Sequence, residues 1–200
     1  MKQQHRFETP GEMKSLIEWT NSEFEKEELH PLLIIGVFVV YFLAIHPFQD
    51  GNGRLSRILT TLFLLKSGYH YVPYSSLESV IEKNKNNYYL ALRKTQGTFK
   101  SEKEDLEPWL LFFLLSLKTQ TNILAEKIAR ERIMISLPRL SRHMIGLIKE
   151  HGELAISDIE SMIGANRNTI KVKLRELVKD NYLEKHGTGK GTRYAIGKKM

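Results

Sequence analysis

Residues 31–57 read PLLIIGVFVVYFLAIHPFQDGNGRLSR, and this stretch decides how the rest of the chain is read. Residues 32–45 carry no charge and are apolar on every side, interrupted only by Gly36. A helix of that character belongs in the middle of a folded core, and it is shorter than the ~20 residues of a membrane span. Pro31 opens it, because a first-turn position has no N–H to lose. The pattern then breaks at Pro47, Gly51 and Gly53, which predicts a loop over residues 46–53. Leu55, Ile58, Leu59, Leu62, Phe63 and Leu65 resume it at i, i+3, i+4 spacing and predict a second helix ending at Gly68.

Outward from this centre the chain reads as almost continuous helix over residues 10–132. Thr9-Pro10 starts the first helix, and further helices are expected over 76–96 and 106–133. At Ser136 to Pro138 the character changes, which sets two domains, 1–135 and 136–200. The second reads helix (140–150), helix (157–163), a turn at Gly164-Ala165-Asn166 and helix (169–180). Two short strands then flank a Gly-rich turn at 186–191 and form a wing. The fold class is therefore mainly α: a helical-bundle core followed by a small winged-helix domain with a short β-hairpin.

The bulk numbers narrow the function classes. The chain has 200 residues, 42% of them hydrophobic and 26% charged, ordinary for a globular protein. It has no cysteine, which excludes disulfides, a thiolate nucleophile and cysteine-based zinc sites and fits a cytoplasmic location. The start, MKQQHRFETP, lacks the apolar segment of a signal peptide, and no membrane association is expected. Of the net charge of +7, residues 139–200 hold +6 (13 Lys/Arg against 7 Asp/Glu), leaving +1 for residues 1–138. The basicity belongs to the C-terminal third.

The loop HPFQDGNGRLSR assembles a phosphate chemistry within twelve residues. Gly51 and Gly53 let the backbone approach a ligand and take positive φ. They lead into a helix N-terminus, where free N–H groups favour an anion. Arg54 and Arg57, three apart, share one helix face and can both meet phosphate oxygens. Asp50 would repel phosphate but suits Mg²⁺, which uses one or two carboxylates together with substrate phosphates. His46 is the group whose chemistry suits proton abstraction near neutral pH.

The segment resembles the Fic family motif HxFx(D/E)GNGRxxR at all eight fixed positions, His46, Phe48, Asp50, Gly51, Asn52, Gly53, Arg54 and Arg57. The resemblance extends over roughly residues 7–132, through LHPLL, LLKSGY, VPYSSLE, NKNNYYLALRKTQ and EPWLLFFL, and the chain looks like the Fic proteins that carry a C-terminal winged helix. It implies a protein adenylyltransferase that moves AMP from ATP, with Mg²⁺, onto a Tyr, Ser or Thr hydroxyl of a protein, the enzyme itself included. In that reading His46 is the base and Asp50 holds the metal. Gly51, Asn52 and Gly53 form the α-phosphate hole, with the Asn52 side chain contributing. Arg54 meets the β-phosphate and Arg57 the γ-phosphate, while a buried Phe48 anchors the loop. Tyr88, Tyr89 and Gln96 match positions that border the adenosine. Oligomers are compatible with all of this.

The chain also departs from the family pattern. Fic enzymes generally carry a β-hairpin flap ahead of the helices before the motif, whereas only QHRFETP precedes the first helix here. An N-terminally shortened protein is the expectation. The inhibitory pattern (S/T)xxxE(G/N) is absent, since no Glu is followed by Gly or Asn. Arg57 is then either unrestrained or restrained from elsewhere. In the basic C-terminal domain, Asn166, Arg167, Asn168, Thr169, Lys171, Lys173 and Arg175 lie on or before a recognition-type helix, with Lys185, Lys190 and Arg193 on the wing. DNA is the expected partner, with a protein-interaction module as the alternative. Two rivals to ATP-dependent adenylylation stand: a Fic transferase with another donor such as UTP, and a DNA-binding regulator whose core senses nucleotide. The intact GNGR favours nucleotide transfer over the phosphorylation associated with a GNKR-like loop.

Overall fold

A computed structural model describes residues 9–199, apart from the side chain of Lys190. The part of the QHRFETP segment before Thr9, read above as a flap remnant, lies outside them. The chain divides into two compact units, Met1–Leu124 and Ala125–Met200. The division falls inside one helix, whereas the sequence places its change of character at 136–138.

The first unit is built from α1 (Thr9–Lys26), α2 (Pro31–Ile45), α3 (Asn52–Lys66), α4 (Leu77–Lys83), α5 (Lys85–Gln96) and the first part of α6 (Glu107–Ser136). The apolar stretch is α2, with Pro31 in its first turn and the His30 side chain accepting from the Leu32 N–H as a cap. Ile34, Ile35, Phe38, Val39, Val40 and Phe42 are all buried, so α2 forms the axis on which α1, α3 and α5 pack. From α6, Trp109 and Phe113 join the same core. Gly36 is what lets α6 close on α2. A Cβ there would lie 2.7 Å from Leu110 Cδ2 and 3.1 Å from Phe113 Cδ1, and the Trp109 indole N–H donates to the Gly36 carbonyl at 2.7 Å.

Two helix expectations need correction. Residues 76–96 form two helices, broken at Asn84, whose backbone leaves the helical region (φ −116°, ψ 27°). Its side chain donates to the Val80 carbonyl at 2.9 Å, so a residue prone to local backbone bonding ends one helix as the next begins. At the other end of the unit, α6 continues to Ser136, three residues beyond the expected stop, and Pro138 then blocks further helix.

The second unit holds α7 (Arg139–His151), β1 (Leu154–Ala155), α8 (Ile156–Ile163), α9 (Arg167–Lys179), β2 (Leu183–His186) and β3 (Arg193–Ile196). Its core joins Met144, Ile145 and Ile148 of α7 with Ile159, Ile170, Leu174 and Leu183. Gly164 takes the left-handed conformation (φ 70°) at the end of α8, and Asn166 caps α9 four residues before its first buried side chain, Ile170. The strands expected around the Gly-rich turn are not two alone. β1 pairs antiparallel with β3, giving the order β1-β3-β2, a contribution too short to carry an alternating pattern. Among the described residues, no helix is long and apolar enough to cross a membrane.

Gly36 supplies a stability test. An exposed helical Gly gains from substitution by a better helix former, but here the buried Phe113 ring has nowhere to go. Gly36→Val is expected to destabilise the protein by about 1–3 kcal/mol through overpacking, read as a lower midpoint in chemical denaturation.

Candidate functional site

The loop is carried by the end of α2. His46 terminates that helix in the left-handed conformation (φ 54°, ψ 57°), its N–H bonded to the Phe42 carbonyl. This conformation is uncommon for a residue with a Cβ, and it turns the chain sharply into the exposed loop. Asn52, the first residue of α3, is 2% exposed. Its side-chain carbonyl accepts from the Phe48 N–H at 3.0 Å and its amide donates to the Phe48 carbonyl at 2.6 Å.

That bracket corrects one expectation from the sequence. Phe48 does not anchor the loop by burial: its ring is 52% exposed. The backbone of Phe48 is gripped instead, and the gripping residue is Asn52. The Asn52 amide uses one of its two N–H groups in this bracket.

The start of α3 is open to an anion. Gly51, at φ 84°, stands at the N-cap and provides no side-chain cap. The N–H groups of the first turn, from Asn52 onward, therefore have no intrahelical acceptor. The two guanidinium groups fold back over this end. A Cβ at Gly51 would lie 3.8 Å from Arg54 Nη2, and one at Gly53 would lie 3.7 Å from Arg57 Nη1. The bare glycines thus keep clear the space between backbone and cations. Asp50 is almost fully exposed and meets Arg54 at 3.4 Å. His46 is exposed, and its ring has no side-chain partner among the described residues. Loop, helix end, both arginines, Asp50 and His46 are contributed by one continuous segment.

The adenosine candidates are less uniform. All three lie on α5. Tyr89 is 47% exposed, and the Gln96 side chain is half-buried, with its amide 3.5 Å from the Val40 carbonyl. Tyr88 is buried against Trp109 and Phe112. Burial pushes its hydroxyl above the ordinary range, and the Arg57 charge partly opposes that.

Beside Arg54 and Arg57 opens a cavity of about 510 Å³, walled by Thr61, Val72, Tyr74, Ser76 and Glu78 among others. Neither His46 nor Asp50 lines it. The sequence reading missed Glu78. Its carboxylate, presented from the first turn of α4, meets Arg57 Nη2 at 2.7 Å. Only the three-dimensional approach of α4 to α3 reveals this pairing, 21 residues apart in sequence. Arg57 thus has a carboxylate partner within the chain, and a phosphate reaching Arg57 Nη2 would compete with Glu78. The carboxylate is 69% exposed and Arg57 28%, so solvent screening limits the pair to about 1 kcal/mol. Glu78→Gln is expected to tighten ATP binding by roughly two- to fivefold, measured by isothermal titration calorimetry.

The chain is similar to known proteins in sequence and in fold. Residues 2–64 match the Fic/DOC family. The chain is 32% identical to Protein adenylyltransferase Fic of Drosophila yakuba over 107 residues, 52% of this chain and 19% of that protein. It is 39% identical to the Drosophila willistoni protein of the same name over 64 residues, 30% of this chain and 13% of that one. The chain therefore spans about a fifth or less of the length of these curated relatives. The crystal structure of a Fic family protein from Desulfovibrio desulfuricans G20 matches with a TM-score of 0.53 and 25% identity, covering 96% of this chain and 55% of that one. The family match and the structural likeness both support a Fic-family relationship.

Proposed function

We propose that this protein is an adenylyltransferase, moving AMP from ATP to a hydroxyl of a protein substrate, with hydroxyls on its own chain among the acceptors. One observation carries the proposal: two guanidinium groups lie over two bare glycines at an uncapped helix N-terminus, within eleven residues of an exposed histidine. The names and family match of the relatives support the same class of chemistry.

In this reaction the first-turn N–H groups of α3 hold the α-phosphate, while Arg54 and Arg57 hold the β- and γ-phosphates. The acceptor oxygen attacks the α-phosphorus in line. An O–P bond forms, the α,β-bridging P–O bond breaks and pyrophosphate leaves, while His46 takes the hydroxyl proton. Positioning and charge neutralisation lower the barrier, with no covalent enzyme intermediate. Mg²⁺ suits the donor set. Asp50 is a single exposed carboxylate beside the phosphate cradle, and nucleotide-bound Mg²⁺ commonly needs no more from the protein. Among the described residues no group of three or more His, Asp or Glu could hold a metal alone, so Asp50 would hold it jointly with the triphosphate. Bound there, the ion supplies charge neutralisation. Tyr89 and Gln96 would border the nucleoside, with Tyr88 supporting them from the core.

For the second unit we propose a winged helix-turn-helix that presents α9 to DNA in a cytoplasmic setting. The favouring observation is the order of elements, three helices with a three-residue turn before α9 and a β2–β3 hairpin after it. Asn166, Arg167, Asn168 and Thr169 are exposed at its N-terminal end, where a major groove is usually read.

The transfer reading is tested with ATP labelled at the α-phosphate, incubated with the protein and Mg²⁺. Label is expected on protein, and His46→Ala is expected to reduce it by about 10²–10⁴-fold with ATP affinity unchanged. An alanine variant that labels as well as the parent removes His46 as the base. Tight ATP binding without label on protein favours a nucleotide sensor.

A further inference from the structure

The strongest unassigned feature lies in the second unit, away from the N-terminal turn of α9. A cavity of about 400 Å³ opens between the later turns of α9 and the β2–β3 hairpin, lined by Lys171, Arg175, Lys179, Lys185, Thr192 and Tyr194 among others. Four of these side chains are cationic, and no carboxylate lines the cavity. Lys171, Arg175 and Lys179 recur every four residues, so they form one stripe along α9 beside the buried Ile170, Leu174 and Leu177. Lys185 opposes Tyr194 in the β2–β3 register and shares its strand face with the buried Leu183. It therefore points to the same side as the stripe.

Four glutamates of this unit are engaged elsewhere. Glu160 pairs with Arg167 at 2.5 Å and Glu176 with Lys173 at 2.7 Å. Glu153 and Glu184 both meet His186, and Glu184 and His186 alternate with Lys185 onto the opposite face of the hairpin. Among the described residues, none of the four cavity cations has a carboxylate partner. Arg167 and Lys173, which the sequence singled out together with Lys171, Arg175 and Lys185, do. Four uncompensated cations converge on one concavity, and Arg175 also lies close enough to lower the Tyr194 hydroxyl against the upward push of its burial.

We propose that this cavity is a cradle for the phosphodiester backbone of duplex DNA, with Lys171, Arg175, Lys179 and Lys185 as its phosphate contacts. Its dimensions favour a polymer over a single phosphate. Eight residues of helix span about 12 Å, and a duplex carries one negative charge per ~1.7 Å of axis. Single strands are held by bases stacking on aromatic faces, yet Tyr194 is only 6% exposed and offers none. A membrane surface calls for exposed apolar anchors beside the cations, whereas the apolar side chains lining this cavity, Ile156, Val178 and Tyr194, are partly or fully buried. The proposal rests on the nucleic-acid reading of this unit and changes where the binding energy lies: the later turns of α9 and the hairpin hold the backbone.

The test uses the full chain and a fluorescein-labelled duplex, with the binding constant followed by anisotropy across a salt series. The parent protein is expected to bind at low salt with a steep inverse dependence on salt. Lys179→Ala with Lys185→Ala, and separately Arg175→Ala, should flatten the slope of log K against log[salt] by roughly 0.9 per cation removed. Lys179→Arg with Lys185→Arg should keep it, and the melting temperature of each variant shows that the unit is folded. Lys26→Ala, which removes a lysine paired with Glu23 in the first unit, should leave the slope unchanged. Duplex binding with unchanged slopes in the alanine variants overturns the cradle alone. No retention at low salt overturns both the cradle and the nucleic-acid reading. Displacement of the duplex by anionic phospholipid vesicles or tripolyphosphate at equal phosphate concentration assigns the cavity to another polyanion and overturns the proposal.

Discussion

The paired hydrogen bonds between the Asn52 side chain and the Phe48 backbone are the constraint on which the site depends. A loop of exposed residues between two helices would ordinarily sample many backbone states, at roughly 1–2 kcal/mol of lost entropy per residue when fixed. Here one buried amide satisfies both polar groups of one peptide residue four positions back. The loop is thereby closed onto the first residue of α3, and the register between His46 and the helix end is set. An unsatisfied buried amide costs about 1–3 kcal/mol, so Asn52 holds the loop closed as firmly as the loop satisfies Asn52. The apolar α2 fixes the other end. Burial of Ile34, Ile35, Phe38, Val39, Val40 and Phe42 holds α2 in the core, and with it the helix end that carries His46.

Electrostatics then shape what this rigid frame can hold. The start of α3 gathers two guanidinium groups and the positive end of the helix dipole with no side-chain cap to oppose them. Such a concentration of positive charge is unfavourable in the absence of an anion. Asp50 and Glu78 each lie against one arginine, at 3.4 and 2.7 Å, and offset it. Both carboxylates are well exposed, so the compensation is weak enough to be exchanged for phosphate. Glu78 comes from a different helix, and this couples the position of α4 to occupancy of the site.

Much of this was legible because the residues that build the loop are contiguous. A fully apolar run followed by a glycine-interrupted polar segment defines helix, loop and helix whatever lies elsewhere. The positions of Gly51, Gly53, Arg54 and Arg57 likewise follow from helix geometry alone. What sequence could not provide was anything resting on distance across the fold. Phe48 was expected to be buried because the family resemblance implies it, but a backbone bracket makes ring burial unnecessary. The Arg57–Glu78 pair joins helices whose approach is set by packing, and no periodicity encodes it. The break at Asn84 was hidden because NKNN is equally compatible with the polar face of a continuing helix. β1 was missed because two residues carry no period.

The second unit illustrates the same limit in its charges. Counting Lys and Arg located the basicity in residues 139–200, but counting treats every cation alike. Pairing does not. Arg167 and Lys173, prominent in sequence at the start of α9, have carboxylates within hydrogen-bond reach, so part of their field is cancelled at short range. Strand alternation carries Glu184 to one face of the hairpin and Lys185 to the other, separating charges that are adjacent in the chain. A modest excess of positive charge thereby becomes a concavity free of acid. Net charge governs attraction at long range, and this arrangement governs where an attracted polyanion would come to rest.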